Sequence, residues 1–235
     1  MNNRLRIVGD VHAQVTPDDL VRRDARCYLD LIADVDSSIQ LGDMGDAESY
    51  AQLQLHVDPA SHRFFPGNHD HYNCLPRHCL GNFGAFNQGG IHGFFLRGAA
   101  SSDKDQLISL GRELGRTLWF EEEELDEEQM HRAEREYLEC RPEIVLSHDA
   151  PEFIARLVHV HAMRFSYTHP DACCKSSRTR HFLNRLWVWH APRTWLFGHH
   201  HHDWQYQAGV TRFICVGELS YVDIDSTGDL LHSGR

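Results

Sequence analysis

Short apolar runs recur along the chain, and in its first third each ends in glycine followed by polar side chains. Leu5-Arg6-Ile7-Val8 ends in Gly9-Asp10-Val11-His12, and Ser38-Ile39-Gln40-Leu41 ends in Gly42-Asp43. His62-Arg63-Phe64-Phe65 ends in Pro66-Gly67-Asn68-His69-Asp70. Runs of this length bounded by turn residues predict strands. Between the first two, Thr16-Pro17-Asp18-Asp19 offers an N-cap hydroxyl, a proline at the first helical position and acids in the first turn. Leu20, Val21, Tyr28, Leu31, Ile32 and Val35 follow at helical spacing. Together they predict one helix with a single buried face. A second helix is expected through Tyr50, Leu53 and Leu55. The first third therefore reads strand, helix, strand, helix, strand, and open sheets of that kind bind ligands at the carboxyl ends of their strands.

Residues 71–141 read as a less regular segment walling such a site. Gly81, Gly84, Gly89, Gly90 and Gly93 mark turns, residues 93–98 read as a strand, and residues 101–110 and 126–140 as helices. Strand character returns at Ile144-Val145-Leu146, ending in Ser147-His148-Asp149, and at Thr194-Trp195-Leu196-Phe197, ending in Gly198-His199-His200-His201. Helices are expected from Pro151 and over residues 176–189 between them. Residues 211–216 and 220–224 are expected to finish the chain as an antiparallel pair. With no repeat and no low-complexity linker, residues 1–235 read as one α/β domain.

Composition adds exclusions. The 235 residues are 41% hydrophobic and 24% charged, ordinary for a globular protein. No apolar run reaches the length of a membrane span, and the first strand follows Met1-Asn2-Asn3-Arg4 directly, so a cytoplasmic protein without membrane attachment is expected. The formal charge of −11, from 34 acidic and 23 basic residues, argues against broad binding of nucleic-acid backbone. It leaves room for a phosphoester at a local metal centre, because bound cations invert the charge of a site. The seven cysteines include no C-x-x-C pair and read as reduced, structural thiols. The run Glu121 to Glu124 reads as solvated surface.

Histidine is the outlier, with 19 in the chain, and the run His199 to His202 is internal rather than a terminal tag. Five predicted strands deliver Asp10 and His12, Asp43, Asn68 and His69, His148, and His199 and His201. Each group alone is a weak signal. Five in succession, each at the carboxyl end of an apolar strand, call for a compensating partner such as a metal ion. Alternation along an extended segment would point His199 and His201 one way and His200 the other, leaving His200 a bystander and His202 outside the ligand set.

The ordered set D-x-H, G-D, G-N-H-D, H and G-H-x-H resembles the calcineurin-like metallophosphoesterases, in particular their small stand-alone microbial or phage-type members. Protein Ser/Thr phosphatases of that family carry G-D-x-x-D-R-G, G-N-H-E and H-G-G. This chain has Gly42-Asp43-Met44-Gly45-Asp46-Ala47-Glu48, then Gly67-Asn68-His69-Asp70, then His148-Asp149-Ala150, so that branch is not expected. The resemblance implies a four-layer αββα sandwich with two divalent metal ions at one edge of the paired sheets. It assigns one ion to Asp10, His12, Asp43 and His201 and the other to Asp43, Asn68, His148 and His199, with Asp43 bridging. Mixed oxygen and imidazole donors suit Mn²⁺ first, with Fe, Zn²⁺ or Ni²⁺ as alternatives.

The implied activity is a dinuclear metal-dependent phosphoester hydrolase, phosphatase or phosphodiesterase, acting on a small-molecule or nucleotide phosphoester. A water or hydroxide bridging the ions would attack phosphorus in line. His69 would stabilise the transition state or protonate the leaving oxygen, and Asp70 would orient His69. Asp46 and Asp149 are candidate supporting groups. Arg97, Lys104, Arg178 and Arg180 could grip phosphate, and Arg97 and Arg178 are carried forward as substrate-binding candidates. Two alternatives remain. A nuclease of the same fold is disfavoured by the acidic balance and the lack of a basic aromatic groove. A non-catalytic binding module would have no need of the complete ligand set.

Overall fold

Strand pairing explains how ends so far apart in sequence come to share one edge. A computed structural model describes residues 4–21, 25–164 and 177–235. Cys173, Cys174 and Ser176, the expected start of the last helix, lie outside the described residues. In chain order the strands are β1 (Leu5–Val8), β2 (Ser38–Gln40), β3 (His62–Phe64), β4 (Phe83–Gln88), β5 (Ile91–Leu96) and β6 (Ile144–Ser147). They continue with β7 (Thr194–Phe197), β8 (Trp204–Ala208), β9 (Thr211–Cys215), β10 (Tyr221–Ile224) and β11 (Leu230–Gly234). The helices are α1 (Tyr28–Ile32), α2 (Ala47–His56), α3 (Lys104–Leu114), α4 (Glu127–Cys140), α5 (Glu152–Met163) and α6 (Arg178–Trp189).

One sheet runs β11-β10-β1-β2-β3 and the other β4-β5-β6-β7-β9-β8. β1, β2 and β3 are mutually parallel, as are β5, β6, β7 and β9, so each set sends its carboxyl ends the same way. Alternation along the strands sorts their side chains into three cores. Leu5, Ile7, Ile39 and Leu41 of one sheet meet Phe95, Ile144, Leu146 and Leu196 of the other in a shared central core. Val8, Phe64 and Tyr221 face outward onto Tyr28 and Leu31 of α1 and Tyr50 and Leu53 of α2. Phe94, Val145, Trp195 and Phe213 face the opposite way, onto Tyr137 of α4, Ile154 and Val158 of α5, and Leu183 and Leu186 of α6. The layer order is helix, sheet, sheet, helix, the αββα sandwich that the motifs led us to expect. Among the described residues no helix is long and apolar enough to cross a membrane.

Four expectations need correction. The helix foreseen from Thr16 is a single 3₁₀ turn, Pro17–Asp19, because Leu20 returns to extended backbone. Val21 is 84% exposed, so the apolar face inferred there is not continuous, and only the short α1 buries its part of it. Secondly, β9 and β10 do not pair with each other. β9 lies between β7 and β8, while β10 crosses to the other sheet and pairs with β1, Leu5 opposite Ile224. Thirdly, β4, β8 and β11 were not foreseen, and the 71–141 segment is more ordered than its sequence suggests, with the β4–β5 hairpin extending a sheet. Lastly, Asp46 serves as the N-cap of α2, accepting from the Glu48 and Ser49 backbone N–H groups at 3.1 and 3.2 Å.

Candidate metal centre

The turns that follow β1, β2, β3, β6 and β7 bring the expected side chains together in two groups that share Asp43. Asp10, His12, Asp43 and His201 each offer a ligand atom, all within 4.8 Å of one another, and so do Asp43, His148 and His199. Asn68 joins the second group, its Oδ1 2.9 Å from His148 Nε2. In the first group His12 Nε2 lies 2.8 Å from His201 Nε2, and His201 Nε2 lies 3.0 Å from Asp10 Oδ2. Asp43 turns Oδ2 towards His12 at 3.8 Å and Oδ1 towards His148 at 3.4 Å. Oxygen and imidazole donors 2.8–3.8 Å apart could share a common cation.

Each carboxylate is anchored through one oxygen and left open through the other. Asp10 Oδ1 accepts from the His199 backbone N–H at 3.0 Å, and Asp43 Oδ1 accepts from that of His69 at 2.8 Å. Asp43 Oδ2 is buried and accepts no hydrogen bond, and Asp10 Oδ2, equally buried, has only the His201 ring nitrogen beside it at 3.0 Å. A buried carboxylate oxygen without a donor, beside a second that meets only an imidazole nitrogen, is costly unless a cation completes the pair. On this chemistry the residues fit a divalent pair.

The backbone is bent to make this arrangement. Among the described residues seven non-glycine positions have φ in the left-handed region, and four of them are candidate ligands: His12 (48°), Asp43 (59°), His199 (64°) and His201 (52°). Such angles cluster where a site over-determines the chain. They also revise the expected reason for the sidedness of the histidine run, which is not an extended segment. His199 and His201 turn inward at left-handed corners, while His200 Nε2 reaches Asp149 Oδ1 at 3.2 Å. Glycine is required beside two of these groups. A Cβ on Gly67 would lie 2.2 Å from Asp43 Oδ1, and one on Gly198 2.4 Å from Asp10 Oδ1.

Electrostatics point the same way. Burial alone would lower the imidazoles of the cluster, but the Asp43 and Asp10 carboxylates outweigh it at His148 and push it up to about 10. Burial is likewise outweighed by Asp10 at His201, which is pushed up to about 9. The cavity thus attracts positive charge. His199 is the exception: burial holds it well below its ordinary value despite Asp149, so it is neutral, the form that binds a metal. His148 Nδ1 sits 2.8 Å from the Leu41 carbonyl oxygen, and donating there leaves Nε2 for the shared centre.

The other candidates fall in different places. His69 is exposed at the rim, its ring centroid 5.7 Å from that of His12. Asp70 does not orient it. The Asp70 carboxylate accepts instead from the backbone N–H groups of Asp43 (2.7 Å), Gly67 (2.7 Å) and Gly45 (3.0 Å) and from the Tyr50 hydroxyl (2.9 Å). It ties the Asp43 turn to the Asn68 turn. Arg97 is buried, donating to Asn82 Oδ1 at 2.7 Å, to the Tyr72 hydroxyl at 3.1 Å and to the Glu122 carbonyl, so it is a structural strut rather than a phosphate grip. Arg178 pairs with Glu124 at 3.5 Å at the start of α6. Arg180 donates to Asp149 at 2.7 Å in a buried ion pair behind His148 and His200.

The acid run is not simply solvated. Glu123 is 4% exposed and accepts from Ser101, while Glu124 accepts from Ser177 and Thr179 at the α6 N-terminus. Ser101 and Glu123 were missed by sequence reasoning. Both lie in the 71–141 segment, and only their position in the fold reveals them.

No family model matches the chain, and no curated protein does. Among solved structures it is similar to the phosphopantetheinyl hydrolase of Mycobacterium tuberculosis, at 14% identity and TM-score 0.44 over 93% of this chain and 90% of that one. It is similar to a putative 5'-nucleotidase of Staphylococcus aureus at 12% identity and TM-score 0.49, over 98% of this chain and 52% of that one. It is also similar to Vps29 of Chaetomium thermophilum at 12% identity and TM-score 0.40, over 95% and 82% of the two chains. At such identities the site is read from its own side chains.

Proposed function

We propose that the chain is a metallophosphoesterase of the calcineurin-like kind, a dinuclear metal-dependent hydrolase of a small-molecule or nucleotide phosphoester. One observation carries the reading: two ligand groups meet at Asp43, whose buried Oδ2 is left without a donor and faces the first of them, while Asp10 Oδ2 meets only the His201 imidazole. Asp10, His12, Asp43 and His201 would hold one cation, and Asp43, Asn68, His148 and His199 the other. The mixed donor set favours Mn²⁺. When bound, the pair supplies Lewis acidity and lowers the pKa of coordinated water.

The chain's own residues do the rest. The His69 backbone N–H fixes the orientation of Asp43, and its exposed ring is the group at the rim free to donate a proton to a leaving oxygen. Asp70 supports the reaction indirectly, by holding the two turns in register. Arg97 and Arg178, engaged with Asn82 and Glu124, are not the arginine clamp on the phosphoryl group that the sequence suggested.

The test is hydrolysis of p-nitrophenyl phosphate and bis-p-nitrophenyl phosphate by purified protein with Mn²⁺. Turnover that disappears in Asp43→Ala is expected, and a preference between the two esters separates monoesterase from diesterase. Absence of turnover on both with Mn²⁺, Fe²⁺, Zn²⁺ and Ni²⁺ would sink the proposal.

A further inference from the structure

An asparagine ligand has to present its oxygen, not its nitrogen, and nothing within the amide itself decides which way it faces. Here a buried relay decides it. Asn68 Nδ2 donates to Ser101 Oγ at 3.1 Å, and Ser101 Oγ donates to Glu123 Oε2 at 2.5 Å. Glu123 Oε1 also accepts from the Ser101 backbone N–H at 3.1 Å, so the serine is held at two points. Asn68, Ser101 and Glu123 are 2%, 6% and 4% exposed, which leaves no room for solvent to substitute.

The polarity of the chain runs one way. An ionised carboxylate only accepts, and a serine hydroxyl has a single proton to give. With that proton committed to Glu123, Ser101 has only lone pairs to offer Asn68. The asparagine must then turn its NH₂ to Ser101 and its Oδ1 to His148 and the second ligand group. We infer that Ser101 and Glu123 are positioning residues for the second metal ion, a carboxylate-to-hydroxyl relay that fixes which end of the Asn68 amide faces the centre. They come from the 71–141 segment, the loop before α3 and the 3₁₀ turn Glu121–Glu123, so that segment shapes one half of the site without contributing a ligand. The inference rests on the dinuclear reading above.

Titration of chelator-treated protein with Mn²⁺ tests it without any measurement of turnover. The wild type is expected to bind two ions. Ser101→Ala and Glu123→Gln are each expected to weaken one of them by about 10–100-fold, the usual effect of removing a group that orients a ligand, and to leave the other unchanged. Ser101→Thr, which keeps the hydroxyl, is expected to restore the lost affinity. Co²⁺ absorption should show the same selective change in the band of one ion. Two ions bound as tightly by Ser101→Ala and Glu123→Gln as by wild type would overturn the relay and leave the dinuclear reading standing. Equal weakening of both ions, together with a lowered melting temperature of the metal-free variant, would overturn it in favour of a merely structural role. No Mn²⁺ bound by the wild type would bring down the dinuclear reading and the relay with it.

Discussion

The two halves of the candidate centre are built differently although they share a residue. In the half formed by Asn68 and His148, the side chains are almost fully buried and each is held from behind, His148 by the Leu41 carbonyl and Asn68 by Ser101. In the half formed by His12 and His201, the side chains are 25% and 42% exposed, and they touch mainly each other and Asp10. The inner half is shaped by the protein before any ion arrives. The outer half lies beside the exposed His69 and is the more solvent-exposed side. Pre-shaped sites lose less on binding, so the inner ion should be held more tightly and exchange more slowly.

The largest effect that bears on this contrast is at the residue the halves share. Asp43→Ala should abolish binding of both ions and reduce turnover to the buffer rate, read by metal analysis and p-nitrophenyl phosphate hydrolysis. His69→Ala, at the open rim, should keep both ions and lose about 10²–10⁴-fold in kcat, the scale of a lost general acid. Retention of full rate there would remove His69 from the chemistry. Next comes the contrast itself: Asn68→Ala should leave one ion, bound in the outer half, and His12→Ala should leave one in the inner half. Slower release of the ion from His12→Ala than from Asn68→Ala, followed by chelator competition, would establish the order of tightness. The reverse order would break it.

Two smaller effects concern stability. Burial would raise Asp149, but Arg180 and the neighbouring histidines outweigh it and hold its carboxyl well below the ordinary range. Because the folded value is depressed, its contribution is complete above about pH 4, the unfolded value, and is lost as pH falls through the lower folded value. Arg180→Ala leaves that carboxylate buried without its guanidinium and should cost about 3–5 kcal/mol by denaturant unfolding, loosening the inner half from behind. Saturating Mn²⁺ at 100 times its dissociation constant should add about 2.7 kcal/mol to folding, seen as a raised melting temperature that chelator reverses.

Much of this site is legible in the sequence because strand ends report themselves. A short apolar run followed by a small residue and then a polar one is a local pattern, and Asp10, Asp43, Asn68 and His199 follow one through glycine, His148 through Ser147. Partnership is not local. The alternation in β10 marks a strand but carries no sign that it pairs with β1 rather than β9. Spacing after Thr16 matches a helix, yet Val21 finds no surface to cover. Asp70 adjoins His69 in sequence, but its carboxylate points into the backbone of its own turn, at Gly67, and of the turn after β2, at Asp43 and Gly45. Glu123 and Arg97 look like surface charges until the fold buries them. In each case side-chain type is visible and the neighbour that gives it meaning lies tens of residues away.

The left-handed corners at His12, Asp43, His199 and His201 have a consequence for anyone seeking to transplant or redesign this centre. Each is a backbone shape that costs roughly 1–3 kcal/mol and persists only because the surrounding strands impose it. Copying the seven side chains onto ordinary strand ends would reproduce the chemistry of the donors and not their directions. The portable unit is a set of bent peptide corners with its supporting sheets. A β-branched residue introduced at any of the four positions would resist the bend before its chemistry was ever tried.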